Sequence, residues 1–210
     1  MKFDFLSLWE LSLQPDIEDE RLELLIPTKL GKVEHSLEDL SLDEHGKNLI
    51  MLMGVPGSGK STMAEKLNKH CEGIGLSSKI ISADDLTSDY IIKNLMTVDI
   101  DNDLGSIQVK SLEDAFNESA DLYDVLILDG IFLSLSDRFV ILKAVSEYFS
   151  NIVGLFLNTN LEELKRVQSQ RFFKRISDED FEYYQGLVKN LLQEKRVLGL
   201  GFDTVYIIQR

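Results

Sequence analysis

The sequence has 210 residues, of which 44% are hydrophobic, so it is long enough for one sizeable α/β domain with an additional segment. Its formal net charge of -14, from 36 acidic and 22 basic residues, argues against non-specific binding to nucleic acid, although it leaves room for a local basic groove. No apolar run approaches a membrane-spanning length, and the single cysteine, Cys71, excludes an internal disulfide and favours a reducing, cytoplasmic location.

Residues 1–47 precede the first clear strand and are predicted to form an N-terminal extension. The apolar and aromatic residues at 3–11, Trp9 among them, predict a short amphipathic helix, and residues 22–26 predict a short strand that ends at Pro27. The aromatic side chains are expected to pack onto the main domain, and a partner-binding arm is the alternative. The segment lacks the basic start and cleavage site of a signal peptide.

The apolar run from Leu49 to Met53 predicts a buried parallel strand. It leads directly into Gly54-Val-Pro-Gly-Ser-Gly-Lys-Ser61, which matches the pattern of a phosphate-binding P-loop, and a helical pattern follows. Glycines allow successive backbone N–H groups to turn toward one anion, and the helix N-terminus adds free amides and the positive end of its dipole. The predicted nucleotide-binding residues are Gly54, Pro56, Gly57, Ser58, Gly59, Lys60, Ser61 and Thr62.

Two side chains of this motif are expected to take part in chemistry on a nucleoside triphosphate. Lys60 supplies a mobile positive charge that reaches the β- and γ-phosphates of ATP. Ser61 offers its hydroxyl to Mg²⁺. The motif therefore predicts ATP and Mg²⁺ as cofactors, while the choice between ATP and GTP stays open because no base-reading motif is evident.

Strands alternate with helical patterns after the P-loop. Four further strands are predicted at residues 78–82, 124–130, 151–158 and 203–208. Helices are predicted at 89–96, 111–122, 137–149 and 161–175, with another beginning at a capping box in 177–180, and the acidic stretch 98–106 is interpreted as a loop. The alternation predicts a three-layer α/β fold of the P-loop NTPase type, with a five-stranded parallel sheet covered by helices on both faces.

Three aspartates follow predicted strands at the edge where ligands of such sheets bind. Asp84 and Asp85 follow the second strand, and Asp84 is the predicted general base that orients an acceptor hydroxyl and takes its proton. Asp85 is the runner-up, and an N-cap role for either residue is the alternative. Asp129 ends the third strand, where a carboxylate can hold Mg²⁺, and ordinary strand termination is the alternative.

A basic cluster in an otherwise acidic chain predicts a lid over the nucleotide, at about residues 161–192. Its members are Lys165, Arg166, Arg171, Lys174 and Arg175. Arg171 and Arg175 share a helix face with Gln168, and their guanidinium groups are predicted to stabilise the charge that spreads over a phosphoryl group in transfer. The alternative is a solvated face paired with neighbouring acids, and for Lys165 and Arg166 the two interpretations stay balanced.

From residue 48 onward the sequence resembles the polynucleotide kinase-like group of P-loop kinases, which includes zeta-toxin-like proteins. The resemblance rests on the P-loop, on Ser82-Ala-Asp-Asp85, on Leu128-Asp-Gly130 and on the spacing from Gln168 to Arg175. It implies that Asp84 is the general base and that Arg171 and Arg175 grip the phosphates.

Two positions depart from the polynucleotide kinases and argue against a polynucleotide acceptor. Thr87 stands where that group has an arginine, and Ile131-Phe132 stands where it has a polar pair. The segments at Asp84 and Asp129 also look like those of uridine kinase and phosphoribulokinase relatives, which phosphorylate small-molecule hydroxyls.

These features predict a P-loop kinase domain over residues 48–210 that moves the γ-phosphoryl group of ATP to a hydroxyl of a small-molecule or nucleotide-type acceptor. The alternatives are a 5′-hydroxyl polynucleotide kinase, a toxin-type kinase acting on a nucleotide sugar, and a regulatory ATPase whose N-terminal arm binds a protein partner. The sequence leaves the acceptor and the oligomeric state open.

Overall fold

The structure, a computed structural model, describes residues 2–6, 8, 31–34, 40–93, 100–170, 176–193 and 198–209. The strands and helices in these ranges are β1 (Lys32–Glu34), β2 (Asn48–Met53), α1 (Lys60–Gly73), β3 (Ser78–Ser82), α2 (Ala83–Lys93), α3 (Ile100–Ser119), β4 (Val125–Asp129), α4 (Leu135–Val145), β5 (Asn151–Asn158), α5 (Leu161–Ser169), α6 (Asp178–Gln193) and β6 (Thr204–Gln209). No helix in this part of the chain is long and apolar enough to span a membrane.

The strands form one parallel sheet in the order β1-β6-β5-β2-β4-β3. The predicted α/β fold is confirmed, but the prediction of five strands was wrong, because β1 adds a sixth at the edge beside β6. Its three residues contain a single apolar one, Val33, and are too short for the alternation that marks a strand. The predicted strand at 22–26 lies outside the described residues.

The central strand β2 separates two apolar cores. Leu49, Met51 and Met53 point to one face, where they pack with residues of α3, α4 and α6. Ile50 and Leu52 point to the other face and pack against α1, which contributes the buried Cys71. Because both faces are covered, β2 is entirely buried, and the turn that follows it begins from a rigid position.

The helices around β4 differ from the predicted boundaries. The stretch 98–106, interpreted as a loop because it is acidic, is helical from Ile100 onward. Acidic residues near a helix N-terminus are stabilising, since they interact with the positive end of the dipole, so an acidic composition does not exclude a helix. The helix predicted at 89–96 begins earlier, at Ala83, and residues 94–99 lie outside the described part.

The first residues of the chain belong to the core. Phe3 and Phe5 are buried, and the Phe5 ring packs edge-on against Phe116 of α3 with centroids 5.1 Å apart. The carboxylate of Glu113 accepts hydrogen bonds from the backbone N–H groups of Phe5 and Leu6, at 2.9 and 3.1 Å. The described part of the predicted aromatic segment therefore packs onto the main domain. Trp9 lies outside the described residues, and the division of the chain into domains stays a prediction.

Phe5→Ala is expected to lower the free energy of unfolding by about 3–5 kcal/mol, because it empties a fully buried aromatic position. Urea denaturation followed by circular dichroism measures the change. Leu6→Ala, at a partly buried neighbour, is the matched control and is expected to cost roughly 1 kcal/mol. Equal losses in the two variants would contradict the burial of Phe5.

Candidate active site

The turn after β2 has the backbone shape of an anion-binding loop. Gly57 and Gly59 have φ values of 94° and 90°, which side-chain-bearing residues rarely adopt, and α1 begins at the next residue, Lys60. The N-terminal end of α1 therefore presents its free amides at this turn. Gly54 is held from behind, because its N–H donates to the carbonyl of Ile131 at 3.1 Å.

Lys60 folds back over the turn that precedes it. Its side-chain Nζ donates to the carbonyl oxygens of Gly54 and Val55, at 2.9 and 3.0 Å, and the residue is only 9% exposed. These contacts hold an ammonium group beside the inward-facing side of the turn. A positive charge is thus fixed where the phosphates of a bound nucleotide would lie.

A cavity of about 1160 Å³ opens above the carboxyl ends of the central strands. It is lined by nine of the predicted site residues, Pro56, Gly57, Ser58, Gly59, Lys60, Ser61, Thr62, Asp84 and Asp129. Gly54 lies at the base of the turn and does not line it. The tertiary structure therefore brings the predicted phosphate-binding turn, Asp84 and Asp129 to one cavity, whose volume suits a nucleotide with a second substrate.

Ser61 and Asp129 are the two residues predicted to hold Mg²⁺. Asp129 ends β4 and is paired in register with Leu52 of β2 on one side and with Ser82 of β3 on the other. It is 8% exposed, whereas Ser61 is exposed in the first turn of α1. Among the described residues no three His, Cys, Asp or Glu side chains form a metal-binding group, but Mg²⁺ at substrate phosphates needs only one or two protein ligands. The residues present fit the ion.

Asp84 and Asp85 lie in the first turn of α2 and are exposed to the cavity. The N-cap of α2 is Ser82 and not Asp84 or Asp85, because the Ser82 side-chain oxygen accepts a hydrogen bond from the backbone N–H of Asp85 at 3.3 Å. Neither carboxylate is therefore needed to cap the helix. Both residues line the cavity.

The segment after β4 closes the wall behind Asp129. Phe132 has a φ of 42°, which is uncommon for an aromatic residue, and its ring packs directly over Gly130, where a Cβ would collide with it. This arrangement aims the carbonyl of Ile131 at the N–H of Gly54, so the β4 and β2 turns are joined. Strained backbone of this kind commonly marks functional sites.

Two side chains that follow β5 in the chain, those of Thr159 and Gln168, hold the turn from outside. Gln168, on α5, is 7% exposed, and its amide Nε2 donates to the carbonyl of Pro56 at 2.7 Å. The hydroxyl of Thr159 donates to the carbonyl of Ser58 at 3.2 Å. Because the N–H of a peptide points away from its carbonyl, the N–H groups of Gly57 and Gly59 are turned toward the cavity, whereas the Ser58 N–H donates to the Val55 carbonyl at 3.1 Å. A side chain added at Gly57 would meet Gln168, which fixes glycine there for a second reason.

A family model described as an AAA domain (AAA_18) matches residues 50–181, which is more than half of the chain. The chain belongs to the AAA domain family. The matched residues of this AAA domain begin in β2, include the turn and both strand-end aspartates, and end in α6. The finer resemblance to the polynucleotide kinase-like group stays a prediction.

Among curated proteins, short stretches of this AAA domain are similar to the signal recognition particle 54 kDa protein of Methanococcus maripaludis. The strain C6 and strain C5 proteins are each 32% identical over 88 residues, covering 35% of this chain and 20% of theirs. The matched stretch thus spans about a fifth of these relatives.

Among solved structures, a sugar kinase from Janibacter sp. HTCC2649 is 16% identical, covers 78% of this chain and 85% of its own, and has a TM-score of 0.50. The Mycobacterium tuberculosis APS kinase CysC, solved in complex with AMPPNP and APS, is 17% identical over 60% of this chain and 70% of its own, with a TM-score of 0.46. The first likeness supports the fold of this AAA domain and nothing finer.

The segment predicted to form a lid, at about residues 161–192, is described only in part. Arg171, Lys174 and Arg175 lie outside the described residues, so their predicted contacts with phosphate stay predictions. Arg166 forms a bidentate pair with Glu163 on α5, at 2.6 and 2.8 Å, in agreement with the solvated-face interpretation. At the next helix, the N–H of Asp180 donates to the Ser177 hydroxyl at 3.0 Å, so the predicted cap is present.

Several residues that line the cavity were not predicted from the sequence. They are Ser82, Ser88, Gln108, Thr159, Asn160, Tyr184 and Gln209. Thr159 and Asn160 directly follow β5, and the rule that ligands bind at the carboxyl ends of parallel strands could have singled them out. Gln108 and Tyr184 gave no such signal, because they lie inside helices whose packing only the tertiary structure sets.

Gln168→Met is expected to weaken the binding of Mg²⁺ with AMPPNP about three- to tenfold. Methionine fills the same space but cannot donate to the Pro56 carbonyl, and one such hydrogen bond contributes roughly 0.5–1.5 kcal/mol. Calorimetric titration measures the affinity. Gln170→Met, at the exposed residue two positions on, is the control and is expected to leave the affinity unchanged. Equal affinities for both variants would show that this contact does not shape the turn.

Proposed function

We propose that this protein is a Mg²⁺-dependent phosphotransferase that moves the γ-phosphoryl group of ATP to a hydroxyl of a small-molecule or nucleotide-type acceptor. The observation that carries the proposal is the shared cavity, in which the Lys60 turn, Asp129 and Asp84 face one space. A site for hydrolysis alone needs no second carboxylate beyond the metal ligand. The exposed Asp84 supports an acceptor other than water.

In the proposed reaction, the residues of the turn bind and orient the triphosphate. The backbone N–H groups of the turn and the Lys60 ammonium bind the β- and γ-phosphates, so that the terminal phosphorus faces the acceptor end of the cavity. Ser61 and Asp129 would hold Mg²⁺, which neutralises charge on the β- and γ-phosphates when it is bound.

Asp84 orients the acceptor hydroxyl and takes its proton as the oxygen forms a bond to the γ-phosphorus. The bond between that phosphorus and the β,γ-bridging oxygen breaks, and ADP leaves with the electron pair. Arg171 and Arg175 are proposed to stabilise the charge that spreads over the transferred group.

The test uses purified protein, Mg²⁺ and ATP labelled on the γ-phosphate, with sugars, nucleosides and 5′-hydroxyl oligonucleotides as acceptors. The sugars are included because the similar Janibacter structure is described as a sugar kinase. Transfer of label to an acceptor, well above the rate of label release to water, is expected. Hydrolysis that no acceptor accelerates, together with binding to a protein partner that depends on nucleotide, would overturn the proposal in favour of a regulatory ATPase.

A further inference from the structure

The cavity continues past the turn to a second wall, the acceptor wall, formed by residues of α2, α3 and α6 and by the segment after β4. Its members are Asp84, Asp85, Thr87, Ser88, Gln108, Ile131 and Tyr184. We propose that this wall selects a hydroxyl compound without an anionic group, such as a sugar or an amino alcohol, and rejects phosphorylated acceptors. The inference rests on the proposed function and names the substrate class of the same site.

The ionisable groups of the acceptor wall are acidic. Asp84 and Asp85 are exposed to the cavity, and Tyr184 is half-buried opposite them on α6. Burial raises the pKa of Tyr184, and the charges of Asp180 and Asp84 act in the same direction, so this phenol stays neutral and offers hydrogen bonds without charge. Gln108 adds an uncharged amide, and Ser88 adds a hydroxyl oxygen whose proton is donated to the Asp84 carbonyl at 2.8 Å. This set of groups suits hydroxyl and ammonium partners.

Thr87 makes the wall unsuited to phosphate at the place where the polynucleotide kinases, by resemblance, carry an arginine. Its side chain is 6% exposed, and its hydroxyl donates to the Ala83 carbonyl one helical turn earlier, at 2.7 Å. The hydroxyl is therefore already used within α2. The Thr87 side chain therefore offers a phosphate neither a positive charge nor a hydroxyl proton.

Ile131 provides an apolar surface where the same kinases have a polar pair. It lines the cavity, and its backbone is held by the hydrogen bond to Gly54 and by the strained turn at Phe132. The segment cannot readily rotate to present another group, because the Phe132 ring is packed over Gly130. An apolar patch beside hydroxyls and carboxylates suits the mixed faces of a sugar ring better than a phosphate.

The charge of the cavity lining acts in the same direction. Among the described residues that line the cavity, the acidic ones are Asp84, Asp85, Asp129 and Glu163, and the basic one is Lys60 at the turn. An anion that reaches the acceptor wall therefore meets the carboxylates of Asp84 and Asp85, which lower its local concentration.

The first experiment determines whether the acceptor carries a negative charge. A small-molecule extract of the cells that make the protein is passed over an anion-exchange resin at neutral pH. The flow-through and the retained fraction are then each incubated with the protein, Mg²⁺ and γ-labelled ATP, with Lys60→Met protein as the blank. We expect labelled product from the flow-through fraction, at a yield at least tenfold higher than from the retained fraction.

The other two outcomes separate the two proposals. Label that appears mainly with the retained fraction overturns the selection of an uncharged or cationic acceptor and leaves phosphotransfer standing. Label in neither fraction, from protein that still binds Mg²⁺ and ATP by calorimetry, overturns phosphotransfer to a small molecule and the present inference with it.

A second experiment changes the charge of the acceptor wall directly. Gln108→Lys and Ser88→Lys each place an ammonium group at an exposed position of the wall. Each is expected to raise kcat/KM for a phosphorylated sugar relative to the unphosphorylated sugar by about tenfold. Gln170→Lys, which places the same charge at an exposed residue outside the cavity lining, is the control and is expected to leave that ratio unchanged. An unchanged ratio in both Gln108→Lys and Ser88→Lys would overturn the proposal.

Discussion

Lys60→Met is expected to reduce phosphotransfer by at least about 10³-fold and to weaken the binding of Mg²⁺ with ATP by roughly tenfold or more. Wild-type Lys60 is 9% exposed, and its ammonium nitrogen lies 2.9 Å from the Gly54 carbonyl oxygen, at the inner side of the turn. Methionine has a similar length, so the cavity keeps its shape while the positive charge is lost. Transfer to acceptor and calorimetric affinity are measured on the same protein.

Lys66→Met is the matched control, because Lys66 lies on the same helix, α1, but is exposed. It is expected to leave transfer and affinity unchanged. Thermal unfolding of both variants checks that losing the contacts to the Gly54 and Val55 carbonyls does not unfold the turn. Turnover of Lys60→Met within tenfold of the wild type, at saturating ATP, would remove Lys60 from the mechanism.

Asp84→Asn is expected to reduce phosphotransfer by roughly 10²–10⁴-fold while the affinity for Mg²⁺ with ATP stays within about twofold. Asparagine keeps the shape and hydrogen-bonding reach of the side chain but cannot take the acceptor proton. Because Ser82 supplies the cap of α2, the substitution is not expected to disturb the helix. Single-turnover label transfer measures the chemical step, and calorimetry measures nucleotide binding.

Asp85→Asn distinguishes the two neighbouring carboxylates. We expect it to slow transfer less than tenfold, because Asp85 is the second choice for the proton acceptor. A reversal, with Asp85→Asn slow and Asp84→Asn fast, would assign the general base to Asp85. Normal turnover in both variants would mean that neither aspartate takes the proton.

The sequence was informative wherever one short segment encodes one local structure. The glycines, Lys60 and Ser61 follow one another without interruption, and an apolar run such as Leu49 to Met53 has a single plausible environment, a buried parallel strand. It was misleading where composition alone was used. The acidic stretch near Asp101 is the start of a helix, and the three-residue β1 exists because β6 offers it backbone partners.

Sequence by itself determined the phosphate-binding turn, the parallel α/β fold and the aspartates at the strand ends, because each depends on residues that are neighbours in the chain. Only the tertiary structure decided that Gln168 and Thr159 bind the outer carbonyls of the turn, that Ser82 caps α2, and that Gln108 and Tyr184 complete the cavity. These contacts join segments up to 112 positions apart. Their geometry follows from how helices pack on the sheet, which no local pattern records.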